Sequence, residues 1–161
     1  MSIWKQPEII RWSQILATSF QQLLVGKASR HENRPLIDNY TSPEQLSEAL
    51  FHAPFVVVSH GIQPDPILNY GNQAALQLWN LSWDKFIQTP SRLTAERGNQ
   101  ATREQMLAQV ANQGYTDNYS GVRISSTGRR FLIEKTIIWN LTDESGNSCG
   151  QAATFPNWNF L

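Results

Sequence analysis

Apolar residues recur at helical spacing near the start of the chain. Residues 8–25 carry a wide apolar stripe that includes Ile9, Trp12, Leu16, Phe20 and Leu23. Repeats at three and four residues are typical of one face of an amphipathic helix. Pro7 suits the first turn and Gly26 suits the end. The pattern therefore predicts a helix whose stripe must be covered by another apolar surface.

A polar connection and a second, shorter helix follow. Residues 28–40 lack hydrophobic periodicity and hold several charged side chains. Ser42 precedes Pro43 and stands three residues before Gln45, which gives a capping box with proline at the first helical position. The sequence predicts a helix from this point to about Phe51.

A β-hairpin is predicted next. Residues 55–59 are mostly β-branched, which favours a strand. Pro64 and Pro66 exclude a helix before residues 67–70, because proline lacks an amide hydrogen and restricts the residue before it. The two apolar segments on either side of this turn are therefore expected to pair.

Three helices are predicted after the hairpin. Asn72 and Ser82 can each accept a hydrogen bond from the free amides of a first helical turn. They favour short helices over residues 73–79 and 83–88, and a longer helix is predicted from 102 to 113. A sheet followed by short helices leaves a hollow of the kind that holds ligands in many domains.

The last third of the chain is predicted to be β. Alternation and β-branched runs favour strands, and the corners fall at residues 126–128 and 143–147. These strands and the hairpin give an antiparallel five-stranded sheet of the α+β class, with short helices on one face and an added N-terminal helical segment. Residues 1–53 are expected to form an extension that packs on the core of residues 54–161, within a single structural domain.

Composition narrows the classes of function. The chain has 161 residues, of which 40% are hydrophobic, and this is enough for one hydrophobic core. Its formal net charge is zero, so it has no long-range positive field that would attract a nucleic acid. No apolar run approaches the length of about 20 residues that spans a bilayer. The first residues lack the apolar segment of a signal peptide, so a cytoplasmic setting is expected. Cys149 is the only cysteine, which excludes an internal disulfide.

Several dense blocks of residues resemble one known family. They are His60-Gly61, Asp65-Pro66-Ile67-x-Asn69-Tyr70-x-Asn72, Ala74-Ala75, Leu78-Trp79, Pro90-Ser91-Arg92-Leu93, Tyr119-Ser120-Gly121-x-Arg123 and Trp139-Asn140-Leu141. These blocks resemble the MEKHLA family, which includes stand-alone bacterial proteins and the C-terminal region of class III homeodomain-leucine zipper plant transcription factors. That family is related to PAS domains, which the order of predicted elements also resembles.

The resemblance implies a non-enzymatic sensory or regulatory module that binds a small molecule or mediates dimerisation. It supplies no catalytic set and no named ligand. Direct contact with nucleic acid is not expected, since the chain has no basic helix and no sustained heptad pattern.

Ten residues are candidates for contact with a ligand. They are His60, Asn69, Tyr70, Trp79, Trp83, Phe86, Arg92, Arg123, Glu134 and Trp139. His60 at a strand end could hydrogen-bond a ligand or accept a proton, although a strand-end histidine before a glycine is also a common structural feature. Only one of Asn69 and Tyr70 can face the hollow, because adjacent strand residues point to opposite sides. The aromatic side chains are either core or a wall on which a planar ligand stacks.

The charged candidates have two interpretations. Arg123 and Glu134 each interrupt an apolar alternation, and an ion pair between neighbouring strands would satisfy both, with Arg123 on a central strand. If Arg123 instead points unpaired into the hollow, its planar guanidinium suits a carboxylate ligand. Arg92 could then assist from the lid side.

The sequence supports no covalent flavin, haem or metal, and it does not identify any other cofactor. Covalent flavin chemistry needs a thiol on a helix beside the ring, whereas Cys149 lies in the last predicted hairpin. Haem would need a well-placed axial histidine, and no histidine falls on a predicted pocket helix. His31 and His52 have no partner at metal-ligand spacing, and no glycine-rich phosphate loop occurs.

Two rival functions remain open. The first is an interaction module with a filled core, in which the N-terminal stripe and the aromatic tail of residues 155–161 form a homodimer or bind a protein partner. The second is a small enzyme that uses His60 with Tyr70 or Arg123. It is less favoured, because no set of nucleophile, base and orienting group can be assembled from local spacing.

Overall fold

The structure is a computed structural model that describes residues 2–26, 34–95 and 100–161, without the side chains of residues 100–103. His31 and the first part of the polar connection, residues 28–33, lie outside these ranges. The helices are α1 (Pro7–Leu24), α2 (Pro43–Phe51), α3 (Gln73–Trp79), α4 (Trp83–Phe86) and α5 (Gln100–Gln113), with short 3-10 turns at Ile3–Lys5 and Ser91–Thr94. In these ranges no helix is long and apolar enough to cross a membrane.

The strands form one antiparallel sheet. They are β1 (Val56–His60), β2 (Leu68–Gly71), β3 (Tyr115–Ile124), β4 (Arg130–Thr142), β5 (Ser148–Phe155) and β6 (Trp158–Phe160). The order across the sheet is β2-β1-β5-β4-β3, and β6 also pairs with β4. The strand β5, next to last in the chain, therefore lies in the middle of the sheet.

β6 continues β5 along the same neighbour. Thr154 pairs with Ile137 and Trp158 pairs with Ile133, so the register is unchanged across the gap between the two strands. The gap contains Pro156, which has no amide hydrogen to donate to a ladder. The five predicted strands are therefore present, and β6 is an additional short strand within the segment that was predicted to be an aromatic tail.

Helices cover the two faces of the sheet. Val56 belongs to a buried cluster with Trp79 of α3 and Phe86 of α4, whereas Val57 belongs to a second cluster with Leu16 of α1. Because successive strand residues point to opposite faces, α1 and the short helices lie on opposite sides of the sheet. We call these the α1 side and the short-helix side.

Polar contacts fix α1 on its side of the sheet. Trp12 Nε1 donates to Ser59 Oγ in β1 at 2.9 Å, and the backbone amide of Thr142 in β4 donates to Ser19 Oγ at 3.1 Å. The apolar stripe of α1 is therefore buried against the protein's own sheet, and a dimer that used this stripe would have to displace it.

A bulge in β4 changes which residues face each side. Lys135 has a φ of 53°. Tyr119 and Gly121 are two positions apart in β3, whereas their partners Thr136 and Ile133 are three positions apart in β4. Ile133 lies in the short-helix cluster and Trp139 lies in the α1 cluster. Strict alternation would place both residues on the same side of the sheet. The bulge shifts the alternation by one residue, so β4 contributes buried side chains to both clusters.

Candidate ligand-binding groove

The centre of the sheet carries a row of apolar residues on the short-helix side. Val58 of β1 pairs with Ala153 of β5, which pairs with Ile138 of β4. Val58 and Ala153 are only half-buried although both lie on interior strands. Their exposure means that the helices leave part of this face uncovered. We call this partly uncovered patch, formed by Val58 and Ala153 with the buried Ile138 at its border, the groove.

A polar row borders the groove toward the ends of β1 and β4. His60 pairs with Gln151, which pairs with Asn140. Gln151 Nε2 donates to Asn140 Oδ1 at 3.4 Å, and Asn140 Nδ2 donates to the carbonyl of Val110 in α5 at 3.3 Å. His60 Nδ1 lies 2.8 Å from the carbonyl of Gly61. Since a carbonyl only accepts, Nδ1 donates there.

The other half of the short-helix side is filled by aromatic rings. Trp79 packs edge-on against Phe86, Phe131 and Phe155, with centroids 6.4, 5.3 and 6.2 Å away. Trp79 Nε1 donates to the carbonyl of Thr94 at 3.4 Å. Edge-to-face packing of this kind is favourable within a core. The structure therefore places the candidates Trp79 and Phe86 in the core beside the groove.

Three aromatic candidates lie on the α1 side instead. Tyr70 and Trp83 pack edge-on at 5.9 Å, and Trp139 packs against Phe20 of α1 at 5.1 Å. Trp139 Nε1 donates to the carbonyl of Leu16 at 3.3 Å. Burial raises the pKa of the Tyr70 hydroxyl above its usual range. The ten candidates are thus divided between two faces and do not form one site.

Asn69 and Arg92 each have a partner away from the groove. Asn69 Oδ1 accepts from Ser59 Oγ at 2.6 Å. Arg92 Nε lies 3.2 Å from Asp65 Oδ2, and both side chains are about half exposed, at 53% and 54%. The idea that Arg92 assists Arg123 from a lid is not supported by this arrangement.

The expected ion pair between Arg123 and Glu134 is wrong. Arg123 pairs with Phe131, which belongs to the short-helix cluster, so Arg123 faces that side. Glu134 follows Ile133 of the same cluster, points away from it and is exposed. β3 is also an edge strand and not a central one. The error arises because spacing in the sequence does not show which positions are opposite each other.

Arg123 lies across a glycine and against a tyrosine. Its Cζ is 5.4 Å from the centre of the Tyr119 ring, Nη2 is 3.5 Å from the Tyr119 hydroxyl, and Nη1 donates to the carbonyl of Val122 at 3.2 Å. A Cβ on Gly121 would lie 2.8 Å from that hydroxyl and 3.0 Å from Nη1. The arrangement therefore depends on a residue without a side chain at position 121.

One buried hydroxyl on the same face lacks a partner. Thr136 pairs with Tyr119 and is fully buried, and within the described part of the chain its Oγ1 has no hydrogen-bond partner. Sequence reasoning missed Thr136 and also Val58, Gln151 and Ala153 of the groove. No local signal marks them, because threonine and small apolar residues are ordinary in strands.

Metal and thiol chemistry have no visible place at the groove. Residues 2–26, 34–95 and 100–161 contain no cluster of three potential metal-ligating side chains. Cys149 is half-buried against the α1 cluster, and burial raises the pKa of its thiol. The thiol is therefore on the opposite side of the sheet from the groove.

The comparison with protein families gives one result that covers almost the whole chain. The sequence profile of the MEKHLA domain matches residues 10–160. REVOLUTA of Arabidopsis thaliana, a homeobox-leucine zipper protein, is 24% identical over 160 residues, which are 96% of this chain and 18% of that protein. The homeobox-leucine zipper protein HOX29 of Oryza sativa subsp. indica is 24% identical over 127 residues, 78% of this chain and 15% of that protein. The chain thus spans only a small part of these plant proteins.

Solved structures show what the fold is. The PAS domain of a protein from Colwellia psychrerythraea aligns with a TM-score of 0.61 and 16% identity, over 73% of this chain and 95% of that one. An RNA-binding Light-Oxygen-Voltage receptor aligns with a TM-score of 0.59 and 21% identity, over 75% of this chain and 36% of that one. The predicted PAS-like fold and the resemblance that led to it are both confirmed.

Proposed function

This chain belongs to the MEKHLA domain family, and on that premise we propose that it is a non-enzymatic module that binds a small molecule in the groove. A sensory or regulatory role is what the PAS-like fold and the family support together. Ligand binding in the groove is our addition to that role.

The half-exposed row on two interior strands carries the proposal. An apolar floor of Val58, Ala153 and Ile138 beside the polar groups of His60 and Gln151 has the composition of small-molecule sites, which combine apolar walls with a few placed polar groups. A sheet face that served only as core would be closed at its centre, as the aromatic half of this face is.

The absence of catalysis is supported by the environment of His60. Its Nδ1 is engaged by a backbone carbonyl and not by a carboxylate. A general base is usually oriented by an acidic group and placed beside a nucleophile. The groove residues therefore suit recognition better than bond breaking.

A substitution in the floor of the groove tests the proposal. Ala153→Phe should fill the groove and abolish saturable binding, whereas Ala153→Ser, which adds one atom, should bind as the unchanged protein does. Native mass spectrometry of the purified chain and a metabolite screen by thermal shift would give the readout. The near-ultraviolet circular dichroism spectrum would establish that both variants are folded. Equal binding by Ala153→Phe, or no ligand for the unchanged protein, would overturn the proposal.

Dimerisation is the second candidate and stays a prediction. The α1 stripe is used internally, but the tail leaves Phe160 and Leu161 exposed, at 45% and 63%. A homodimer or protein contact would therefore form through the end of β6. A cytoplasmic location likewise stays a prediction.

A further inference from the structure

We propose that the ligand of the groove is a small organic carboxylate and that Arg123 binds its charged end. This inference rests on the proposed function and adds the chemical class of the ligand. It is carried by the contacts of Arg123, by the partnerless hydroxyl of Thr136 and by the glycine between Tyr119 and Arg123.

A continuous path on one face joins the groove to Arg123. Ile138 of the groove is two residues from Thr136 on β4, and Thr136 pairs with Tyr119 on β3. The guanidinium of Arg123 bends back to the hydroxyl of Tyr119. Thr136 is fully buried and Ile138 is 5% exposed, so a ligand that extends from the groove toward the cation has to displace the side chains that cover this path.

The guanidinium has weak partners for a half-buried cation. Its contacts are one carbonyl, of Val122, and one phenol at 3.5 Å, the long limit for a hydrogen bond. Among the described residues, ion pairs join Arg11 to Glu144 and Arg92 to Asp65, and no carboxylate lies within ion-pair distance of Arg123. A guanidinium partly removed from water is stabilised by a bidentate anion, which its planar donors match.

Thr136 supplies an independent sign of a missing polar group. A buried hydroxyl without a partner costs free energy, and such atoms are rare in folded proteins. Among the described residues, Thr136 Oγ1 and Tyr70 Oη are in this position; Tyr70 lies on the α1 side, whereas Thr136 faces the short-helix side. An acceptor on the ligand would satisfy it. Tyr119 lies between Thr136 and Arg123, so the two binding groups are neighbours on one surface.

The chemistry favours a carboxylate over a phosphate or a neutral ligand. Arg123 is the one arginine or lysine among the residues that form the groove, its polar row and the path. One cation balances a single negative charge, whereas phosphate sites usually combine several donors or a helix terminus. The flat apolar floor suits the rest of an organic acid.

The test compares acids with a neutral molecule of the same shape. Benzoate, phenylacetate and succinate would be titrated into the full chain by calorimetry, with benzamide as the uncharged match for benzoate and inorganic phosphate as the competing anion. At least one carboxylate should bind saturably, and benzamide and phosphate should not. Arg123→Gln should weaken binding by about 10- to 100-fold, the range expected for a charge-assisted hydrogen bond.

Two further variants separate recognition from folding. Thr136→Val, which keeps the shape and removes the hydroxyl, should weaken carboxylate binding and raise the melting temperature of the free protein. Arg92→Gln is the matched control and should bind normally, because Arg92 contacts Asp65 at the surface.

The outcomes distinguish this inference from the proposed function. Suppose that benzamide binds as tightly as benzoate, that Arg123→Gln binds normally and that Ala153→Phe does not bind. This result would overturn the inference that the ligand is a carboxylate, and the proposal that the groove binds a ligand would stand. Binding of phosphate alone would also overturn it. If none of these probes bound while the metabolite screen found a neutral ligand, the inference would fail and the proposed function would stand.

Discussion

At the scale of single residues, Asn72 uses nearly its whole hydrogen-bonding capacity. Its Oδ1 accepts from the amides of Ala75 at 3.2 Å and Val57 at 3.1 Å, and its Nδ2 donates to the carbonyls of Leu50 at 3.1 Å and Phe55 at 2.8 Å. The sequence predicted only the cap on α3. The structure adds bonds to the end of α2 and to the start of β1, so one side chain joins three elements.

We predict that Asn72→Ala destabilises the protein by about 2–4 kcal/mol, because a cap is lost and buried backbone groups are left without partners. Ser82→Ala is the control, since Ser82 is exposed and caps only α4 through the amide of Lys85. That change should cost about 1 kcal/mol. Urea denaturation followed by circular dichroism measures both. Equal losses for the two variants would contradict the role assigned to Asn72.

At the scale of elements, the bulge of β4 contains one residue with a left-handed backbone conformation. Lys135 has a φ of 53° at the bulge of β4, a region that costs a residue with a Cβ about 1–2 kcal/mol. The register also places Pro156 opposite this position, where β5 and β6 are interrupted. Both partners of the ladder are therefore irregular at the same point, and the faces of β4 change there.

We predict that Lys135→Gly raises the free energy of unfolding by up to about 1 kcal/mol, since glycine adopts positive φ without strain. Lys135→Val should lower it, because a β-branched side chain is disfavoured in this conformation. Lys135→Ala keeps the Cβ and should be close to the unchanged protein. Thermal unfolding of the three variants gives the comparison, and a loss of stability in Lys135→Gly would show that the bulge is not strained.

The molecule as a whole is a sheet with a cluster on each face, and α1 closes one of them. Leu16 is fully buried between α1 and the sheet, and the hydrogen bond from Trp139 to its carbonyl lies beside it. An N-terminal extension in this position is expected to unfold together with the rest of the chain, because its removal would expose the α1 cluster.

We predict that Leu16→Ala lowers the free energy of unfolding by about 2–5 kcal/mol, the usual range for a leucine that leaves a cavity. Thr18→Ala, on the exposed side of α1, should have little effect. Tryptophan fluorescence and far-ultraviolet circular dichroism should report one coincident urea transition for both variants. Two separate transitions would mean that the helical extension and the core are independent units.

Much of the fold was predictable because its signals are local. Proline at the first helical position of α1 and α2, and the caps Ser42, Asn72 and Ser82, act within one turn of the residues that they order. Three features were not predictable: the pairing of Arg123, the side of the sheet on which Trp139 lies, and the lack of a hydrogen-bond partner for the buried hydroxyl of Thr136. They depend on the register between β3 and β4, and two irregularities within that pair shift it.

The amino-acid sequence alone determined the helices, the hairpin, the late meander and the family, because periodicity, caps and motifs are written in neighbouring residues. Only the tertiary structure decided which face each candidate occupies and where the sheet stays open. Val58 and Ala153 are far apart in the sequence, yet they lie side by side in the sheet. Contacts between distant strands follow from register and bulges, which no local pattern records.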